Sequence, residues 1–418
     1  MALPALGNDS WTLSPSGTRA QRSTRRGADR VLDWLIIGGG VHGTHLSLAL
    51  LRAAGVAHDR LAVLDPWDEP LARFFRFTEA TGMGYLRSPA VHHLDLHPYA
   101  LRSFARRGHG KRIARFVAPY DRPGLAFFRA HCESIVRAYG LAQIRTRATA
   151  IRLDRLDVGF RVETDRGVLA ARRVVLAVGQ GDQPCWPEWA AALRASGRVQ
   201  HVFDGPAPPE TTRTGERVVV IGGGITAGQL ACSLMDRGAV VTLLSRHEAR
   251  VHLFDSDPIW LGPAGLTGFH GEPNPDARRR IIQGARRRGS MPPELDRRIR
   301  VEAHRGRLAR RRGEITHAEL GSGAVRLALG SDGGALEADR VVLATGFLPH
   351  RPGGALLDDA IAAHGLPCAR CGYPIVSRRL EWAPGLFVSG PLADLELGPA
   401  ARNIAGARAA AERIQSAA

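Results

Sequence analysis

A glycine-rich turn between a strand and a helix occurs twice in this chain, and it restricts the possible folds more than any other feature. The first copy, Gly-Gly-Gly-Val-His-Gly, spans Gly38–Gly43, and the second, Gly-Gly-Gly-Ile-Thr-Ala, spans Gly222–Ala227. Such a turn presents backbone N–H groups at a helix N-terminus, where they bind the pyrophosphate of a dinucleotide. Two copies in a chain of 418 residues predict two dinucleotide-binding domains.

The first turn belongs to a complete strand–helix–strand unit. The pattern predicts a strand at residues 32–37, a helix at 41–53 and a second strand at 61–64. Gly38, Gly40 and Gly43 occupy the glycine positions of the pyrophosphate turn. Asp65 follows the second strand, where a carboxylate accepts hydrogen bonds from both ribose hydroxyls. The alternative, a glycine-rich loop without a ligand, is disfavoured by this full order of elements.

The second turn belongs to a similar unit with a different ending. A strand is predicted at residues 217–221, a helix at 225–236 and a strand at 239–244, with Gly222, Gly224 and Ala227 in the turn. Ser245 and Arg246 stand where the first unit has its acid. A serine and an arginine suit a 2′-phosphate, so this unit is predicted to bind NADPH. The alternative is that Arg246 is one of many surface arginines.

Two further segments, residues 171–179 and 338–346, resemble each other as closely as the two turns do. Each is an apolar strand that ends in glycine. A closing strand at residues 385–390 and a final helix through about residue 414 complete the pattern. Glycine at a strand end lets the backbone approach a cofactor closely, so Gly346 and Gly390 are further candidate cofactor-binding residues.

These elements predict an α/β fold with two Rossmann-like, doubly wound domains, the NADPH-binding domain being inserted into the FAD-binding domain. The FAD-binding domain is expected at residues 31–209 and 338–418, and the NADPH-binding domain at 210–337. Residues 1–30, rich in Ser, Arg, Gly and Pro, are predicted to be a disordered basic tail. An organelle transit peptide is the alternative for this tail.

The net charge of +17 is supplied almost entirely by arginine, because Lys111 is the single lysine. The densest arginine stretch, residues 278–312, lacks the interleaved aromatic side chains that stack on bases. We therefore expect no specific nucleic-acid partner. No apolar run approaches the length of a membrane-spanning helix, so no membrane association is expected either.

The cysteine content indicates a reducing compartment. The chain has five cysteines, an odd and sparse set that fits a cytoplasmic protein. Cys368 and Cys371 have the spacing of a redox-active pair, but they lie in a loop flanked by Gly and Pro, which favours incidental thiols. The sequence offers no set of ligands with the spacing of a metal site.

From about Val31 onward, the chain resembles the superfamily of flavoproteins with two dinucleotide-binding domains. Within it, the chain most resembles NADPH-dependent flavin monooxygenases, particularly the lysine/ornithine N-hydroxylase branch. The two turns, the segment Ala344–Gly346 and the closing strand at 385–390 carry the resemblance. The resemblance implies FAD at the first turn and NADPH at the second.

The segment Met83–Arg87 is similar to the flavin-facing segment of this branch, in which a basic residue helps to hold the substrate. The resemblance therefore makes Arg87 the candidate substrate contact, with a plain salt-bridge role as the alternative. Gly84 replaces the usual glutamine, and residues 255–262 lack the asparagine of the N-hydroxylase motif. These departures disfavour lysine or ornithine as the substrate.

The resemblance implies a monooxygenase that uses NADPH to reduce FAD, and molecular oxygen to oxygenate nitrogen or sulfur of a small molecule through a C4a-peroxyflavin. An NADPH-dependent flavin oxidase or reductase is the alternative, and a redox-silent nucleotide-binding protein is a third hypothesis.

No catalytic side chain is assigned, since the flavin carries the chemistry. His42 and His45 fit packing at the helix start or proton transfer. The sequence leaves the oligomeric state open.

Overall fold

The computed structural model describes residues 31–330 and 334–418, and the predicted basic tail at residues 1–30 lies outside them. The described strands are β1 (Val31–Ile37), β2 (Leu61–Asp65), β3 (Phe116–Val117), β4 (Arg122–Pro123), β5 (Arg145–Arg147), β6 (Ala150–Arg155), β7 (Phe160–Thr164), β8 (Gly167–Leu176), β9 (Val199–His201), β10 (Arg217–Ile221), β11 (Val240–Ser245), β12 (Arg250–Val251), β13 (Ser290–Met291), β14 (Leu308–Arg312), β15 (Ile315–Leu320), β16 (Val325–Leu329), β17 (Ala335–Ala338), β18 (Arg340–Leu343), β19 (Glu381–Ala383) and β20 (Leu386–Val388). The described α-helices are α1 (Val41–Arg52), α2 (Ala72–Ala80), α3 (Ala100–Phe104), α4 (Gly108–Ile113), α5 (Leu125–Ala138), α6 (Glu188–Ala191), α7 (Ile225–Asp236), α8 (Pro263–Gly271), α9 (Pro275–Ala285), α10 (Pro293–His304), α11 (Gly354–His364), α12 (Asp394–Leu397) and α13 (Ile404–Ile414).

The first sheet is built around β1, which pairs in parallel with β2 on one side and β8 on the other. Its strand order is β19-β20-β8-β1-β2-β5. The far edge of β8 pairs in parallel with β20 near its C-terminal end and antiparallel with β7 near its N-terminal end. Central side chains such as Leu35, Ile36 and Val175 are fully buried, as expected for parallel strands that are covered on both faces.

The second sheet has the order β14-β11-β10-β18-β9, and all its pairings are parallel. Strands β10 and β18 occupy the places that β1 and β8 occupy in the first sheet, which confirms the predicted repetition. Because β20 returns to the first sheet after β18, the second sheet is inserted into the first. By sheet membership this inserted part runs from residue 199 to residue 343, and the domain limits of 210 and 337 stay a prediction.

The strand predicted at residues 338–346 is divided in two. Its first part ends β17, which pairs with β16 in an antiparallel sheet of β15, β16 and β17. Its second part is β18 in the parallel sheet. The chain changes partner at Asp339, whose carboxylate accepts hydrogen bonds from the backbone and side chain of Arg217 at the start of β10.

Three phenylalanine rings join α2 to the loops that follow β9 and β18. Phe77 lies in α2, Phe203 follows β9 and Phe347 follows β18. The ring centroids of Phe77 and Phe203 are 4.3 Å apart, and those of Phe203 and Phe347 are 5.1 Å apart. Phe203 and Phe347 thus follow the C-terminal ends of two parallel strands, at the edge of the sheet where β10 ends and the second turn begins.

Across residues 31–330 and 334–418, we find no helix with the length and apolar character that crossing a bilayer requires.

Candidate functional site

The first turn has the backbone geometry of a pyrophosphate-binding loop. Gly38 has a φ of +114°, a region that residues with a Cβ rarely adopt. A Cβ at Gly43 would lie 1.8 Å from the carbonyl oxygen of Gly38, so only glycine allows α1 to pack this closely. Gly40 is the N-cap of α1, and a Cβ there would meet nothing within 4 Å. The turn is therefore open beside Gly40, where backbone N–H groups can receive a pyrophosphate.

Asp65 lies at the C-terminal end of β2, beside this turn. Its Oδ2 accepts a hydrogen bond from the Gly39 N–H at 2.5 Å, and its Oδ1 accepts one from the Trp67 N–H at 2.9 Å. Arg145 of β5 reaches the same carboxylate, with Nη2 3.5 Å from Oδ1. The acid is thus held at the mouth of the turn, and its contact with a ribose stays a prediction.

The second turn repeats this geometry. Gly222 has a φ of +150°, and a Cβ there would lie 2.5 Å from the Ala344 carbonyl oxygen. The same contact exists in the first turn, between Gly38 and the carbonyl oxygen of Ala177. Gly224 is the N-cap of α7, and Ala227 is fully buried where the first turn has its third glycine. The two turns are structurally equivalent, as their sequences predict.

Arg246 and Ser245 differ in their availability to a ligand. The Ser245 hydroxyl donates to the carbonyl oxygen of His247 at 2.9 Å, so the backbone already uses it. Arg246 is exposed, and its guanidinium makes neither a hydrogen bond nor an ion pair with the described residues. Of the pair singled out in the sequence, Arg246 is the side chain that is free to bind a 2′-phosphate.

His247 lies over the second turn, and the sequence did not single it out. A Cβ at Gly223 would be 2.6 Å from its Cε1, and a Cβ at Gly289 would be 2.7 Å from its Nε2. Its Nδ1 lies 2.8 Å from the carbonyl oxygen of Glu248. No motif marks His247, because its place over the turn depends on how the loop after β11 folds back.

The strand-end glycines Gly346 and Gly390 both adopt left-handed backbone conformations, with φ of +79° and +69°. A Cβ at Gly346 would meet nothing within 4 Å. Gly390 faces His42, since a Cβ on Gly390 would lie 3.7 Å from the imidazole ring. Both positions lie beside a nucleotide turn, and their contact with a cofactor stays a prediction.

Of the two histidines of α1, His45 is buried and His42 is half-buried, and both are neutral at pH 7. The Nδ1 of His42 is 2.9 Å from Ser389 Oγ, and the Nδ1 of His45 is 2.7 Å from the Leu94 carbonyl oxygen. Burial lowers the pKa of each imidazole to about 4. These contacts favour the packing interpretation of both residues over proton transfer.

Arg87 connects the predicted flavin-facing segment to the inserted part of the chain. Its Nε donates to the Leu253 carbonyl oxygen at 2.8 Å, and its Nη2 donates to the His252 carbonyl oxygen at 2.6 Å and to Ser290 Oγ at 2.9 Å. No carboxylate of the described chain lies within ion-pair distance of this guanidinium. The pKa of Arg87 is lowered to about 10, mainly by burial; the charge of Asp255 opposes this shift and nearby arginines add to it. Arg87 is thus a desolvated cation without a paired anion.

A buried charge network surrounds Asp394, and no motif in the sequence marks it. Arg279 donates to Asp394 at 3.1 Å, and Arg402 donates to the same carboxylate at 2.9 Å through Nε. The Arg402 guanidinium also donates to Gln180 Oε1, and the Arg279 guanidinium lies 3.9 Å from the ring centroid of Tyr373. This network ties α9 of the inserted part to the closing segment of the first. Arg279 lies 115 residues from Asp394, and Gln180 lies 222 residues from Arg402, so no local pattern predicts these contacts.

All five cysteines are free thiols. Burial raises the pKa of Cys368, which keeps that thiol protonated and poorly nucleophilic at pH 7. Within residues 31–330 and 334–418, no three His, Cys, Asp or Glu side chains come together as a metal site.

Two protein families match parts of this chain. The FAD-NAD(P)-binding family matches residues 35–181, which contain the first turn and Asp65. The pyridine nucleotide-disulphide oxidoreductase family matches residues 124–269, which contain the second turn and Arg246. The chain is a two-dinucleotide-binding-domain flavoprotein. No curated protein matches this flavoprotein in sequence.

Solved structures of similar fold span nearly the whole flavoprotein. An ornithine hydroxylase from Pseudomonas aeruginosa aligns with a TM-score of 0.74 at 17% identity, covering 93% of this chain and 98% of its own. An ornithine N-hydroxylase from Kutzneria sp. 744 aligns with a TM-score of 0.72 at 17% identity, covering 93% and 99%. A flavin-containing monooxygenase from Stenotrophomonas maltophilia aligns with a TM-score of 0.59 at 21% identity, covering 93% and 99%. At these identities the likeness establishes the fold.

The residues of the flavoprotein fit two dinucleotides. Each turn opens a helix whose first backbone N–H groups are available, and each has a glycine at its N-cap. Together with the family matches, this makes the protein an oxidoreductase that uses FAD and a nicotinamide dinucleotide.

Proposed function

We propose that this flavoprotein is an NADPH-dependent monooxygenase that oxygenates the nitrogen or sulfur of a small molecule. Bound FAD supplies the redox chemistry, with NADPH as the hydride donor and oxygen as the co-substrate. The folds of two ornithine hydroxylases and a flavin-containing monooxygenase support this class of reaction. Free thiols fit a reducing compartment, which supports a cytoplasmic location.

The choice of NADPH over NADH is supported by Arg246. Its exposed, unpaired guanidinium follows β11, where nucleotide folds bind the 2′ position of the adenosine ribose. Asp65 stands at the corresponding place beside the first turn, where a carboxylate suits the unphosphorylated ribose of FAD. In this proposal the two turns hold the pyrophosphates, and these two side chains distinguish the cofactors.

The environment of Arg87 is the observation that supports the proposed class of substrate. A guanidinium that is partly removed from water and faces only neutral acceptors binds an anionic group strongly. Its Nη1 makes no hydrogen bond with the described residues, so it can donate to a substrate carboxylate. In this role Arg87 orients the substrate, and its anchoring to Leu253, His252 and Ser290 fixes the direction of that group.

The experiment is a rapid mixing of the purified holoenzyme with NADPH, first without oxygen and then with it, followed at the flavin absorbance. A monooxygenase should show an absorbance band after oxygen addition that differs from oxidised and reduced flavin and persists for seconds. Amines and thioethers that carry a carboxylate should speed NADPH consumption and reduce the hydrogen peroxide released per NADPH. Uncharged analogues of the same compounds are the matched control.

The competing function is an NADPH-dependent flavin oxidase or reductase. It would release one hydrogen peroxide per NADPH with every compound tested, and that outcome would refute the monooxygenase proposal. Failure of NADPH to bleach the flavin would refute both functions and favour a redox-silent nucleotide-binding protein.

A further inference from the structure

Arg145 lies against the middle glycine of the first turn, although neither the turn nor its acid requires an arginine there. Arg145 begins β5, which pairs with β2 beside Asp65. A Cβ at Gly39 would be 2.4 Å from Arg145 Nη1 and 3.1 Å from Asp65 Cγ. The guanidinium therefore occupies the corner formed by the turn and the acid.

The guanidinium of Arg145 is buried and incompletely paired. Only 5% of the side chain is exposed. Nη2 donates to the Trp67 carbonyl oxygen and lies 3.5 Å from Asp65 Oδ1. Nε and Nη1 are buried and have no hydrogen-bond partner among the described residues. Buried donors without acceptors are costly, because the protein does not replace the water that they lose on folding.

Asp65 does not satisfy these two nitrogens. Its Oδ2 accepts from the Gly39 N–H and its Oδ1 from the Trp67 N–H, so both carboxylate oxygens face the backbone. Only Nη2 of Arg145 comes near the carboxylate, at the long distance of 3.5 Å. The remaining donors of Arg145 need an acceptor that the described chain does not supply.

We propose that Arg145 binds FAD directly, donating to ribose-phosphate oxygens of its adenosine half. A dinucleotide bound by the turn and the acid would have its adenosine half beside Arg145. A guanidinium presents a planar, permanently charged fork of donors, which matches phosphate and vicinal ribose oxygens. Arg145 thus adds a charged anchor to a site that otherwise binds FAD through backbone N–H groups and one carboxylate.

Three variants test this role in the holoenzyme. Arg145→Met removes the charge at similar length, and Arg145→Lys keeps the charge without the planar fork. Arg147→Met is the matched control, because Arg147 lies two residues further along the same strand and pairs with Asp68 on the exposed surface.

Serial dilution of each holoenzyme, with released FAD measured by its fluorescence, gives the Kd for FAD. Loss of a charged hydrogen bond should raise this Kd about 10- to 100-fold in Arg145→Met, and less in Arg145→Lys. The Kd of Arg147→Met should equal that of the wild type.

A second background separates a contact with FAD from support of Asp65. If Arg145 contacts FAD, Arg145→Met should weaken FAD binding further in an Asp65→Asn protein. An unchanged Kd in Arg145→Met, or an effect that vanishes in the Asp65→Asn background, overturns the proposal. Where Arg145→Met does not fold, a wild-type Kd in Arg145→Lys overturns it equally. The assay uses neither NADPH nor substrate, so its outcome is independent of the proposed monooxygenase activity.

Discussion

Acidification from pH 7 to pH 5 should destabilise this fold through its buried histidines, which include His45, His93 and His131. Each is at most 3% exposed. The rings of His93 and His131 pack edge to face, with centroids 5.2 Å apart. The Asp95 N–H donates to His93 Nδ1, so His93 carries its proton on Nε2, which donates to the Pro98 carbonyl oxygen. Protonation of Nδ1 would break the first of these bonds.

Burial is the main cause that lowers the pKa of all three histidines, to about 4 for His45 and His93 and about 3 for His131. The charge of Arg408 also lowers the pKa of His45 and His93, and the charge of Asp95 opposes the shift at His93. In the unfolded chain a histidine titrates near pH 6.5. Between pH 6.5 and 4 the unfolded state therefore binds more protons, so stability falls as the pH falls.

The size of this effect follows from the pKa differences. Between pH 7 and pH 5 each of these three histidines removes roughly 2 kcal/mol from the free energy of unfolding, and the three together remove roughly 5–6 kcal/mol. Domains are typically stable by roughly 5–15 kcal/mol, so the protein should be close to unfolding at pH 5. Urea unfolding at pH 7, 6 and 5, followed by circular dichroism, measures this loss.

His131→Leu tests the assignment, because leucine fills a similar volume without a titrating group. This variant should lose about 2 kcal/mol less than the wild type between pH 7 and pH 5. The exposed His109 provides the control, and His109→Leu should follow the wild-type pH dependence. Equal losses in the wild type and in His131→Leu would refute the reasoning.

Three shorter predictions concern the nucleotide turns and the thiols. Arg246→Ala should weaken NADPH binding about 10- to 100-fold and leave NADH binding unchanged, whereas Arg237→Ala at the far end of α7 should change neither, as measured by calorimetry. Gly43→Ala should prevent folding, since its Cβ would meet the Gly38 carbonyl oxygen, while Gly40→Ala should fold normally and purify with less bound FAD. Cys371→Ser should leave the rate of flavin reduction by NADPH unchanged, and a large loss would indicate dithiol chemistry.

Local patterns predicted those parts of the molecule whose conformation is decided within a few residues. The strand at residues 217–221 and the helix at 225–236 have the predicted bounds, because glycines end them and apolar residues fill their buried faces. The strand at 338–346 was less well predicted. Its division at Asp339 depends on pairing with Arg217, which lies 122 residues earlier.

Side chains that reach a site from distant strands were not predictable in the same way. Arg145 and His247 lie over the two turns through folding of β5 and of the loop after β11, and neither belongs to a recognisable motif. Arg87 was singled out through a family resemblance. Its guanidinium donates to neutral carbonyl oxygens of Leu253 and His252, which lie more than 160 residues further along the chain. The local sequence around Arg87 therefore could not predict these contacts.

The insertion of the second sheet into the first has a consequence for synthesis on the ribosome. The edge of β8 that pairs with β20 is made about 210 residues before β20 emerges. At roughly 5–20 residues per second, this edge waits on the order of 10 to 40 s for its partner. The strands of the inserted sheet are all complete by then, so that sheet can close first. The N-terminal sheet is the part of the nascent chain that stays open to misassociation longest, and holding its β8 edge is where a chaperone would help most.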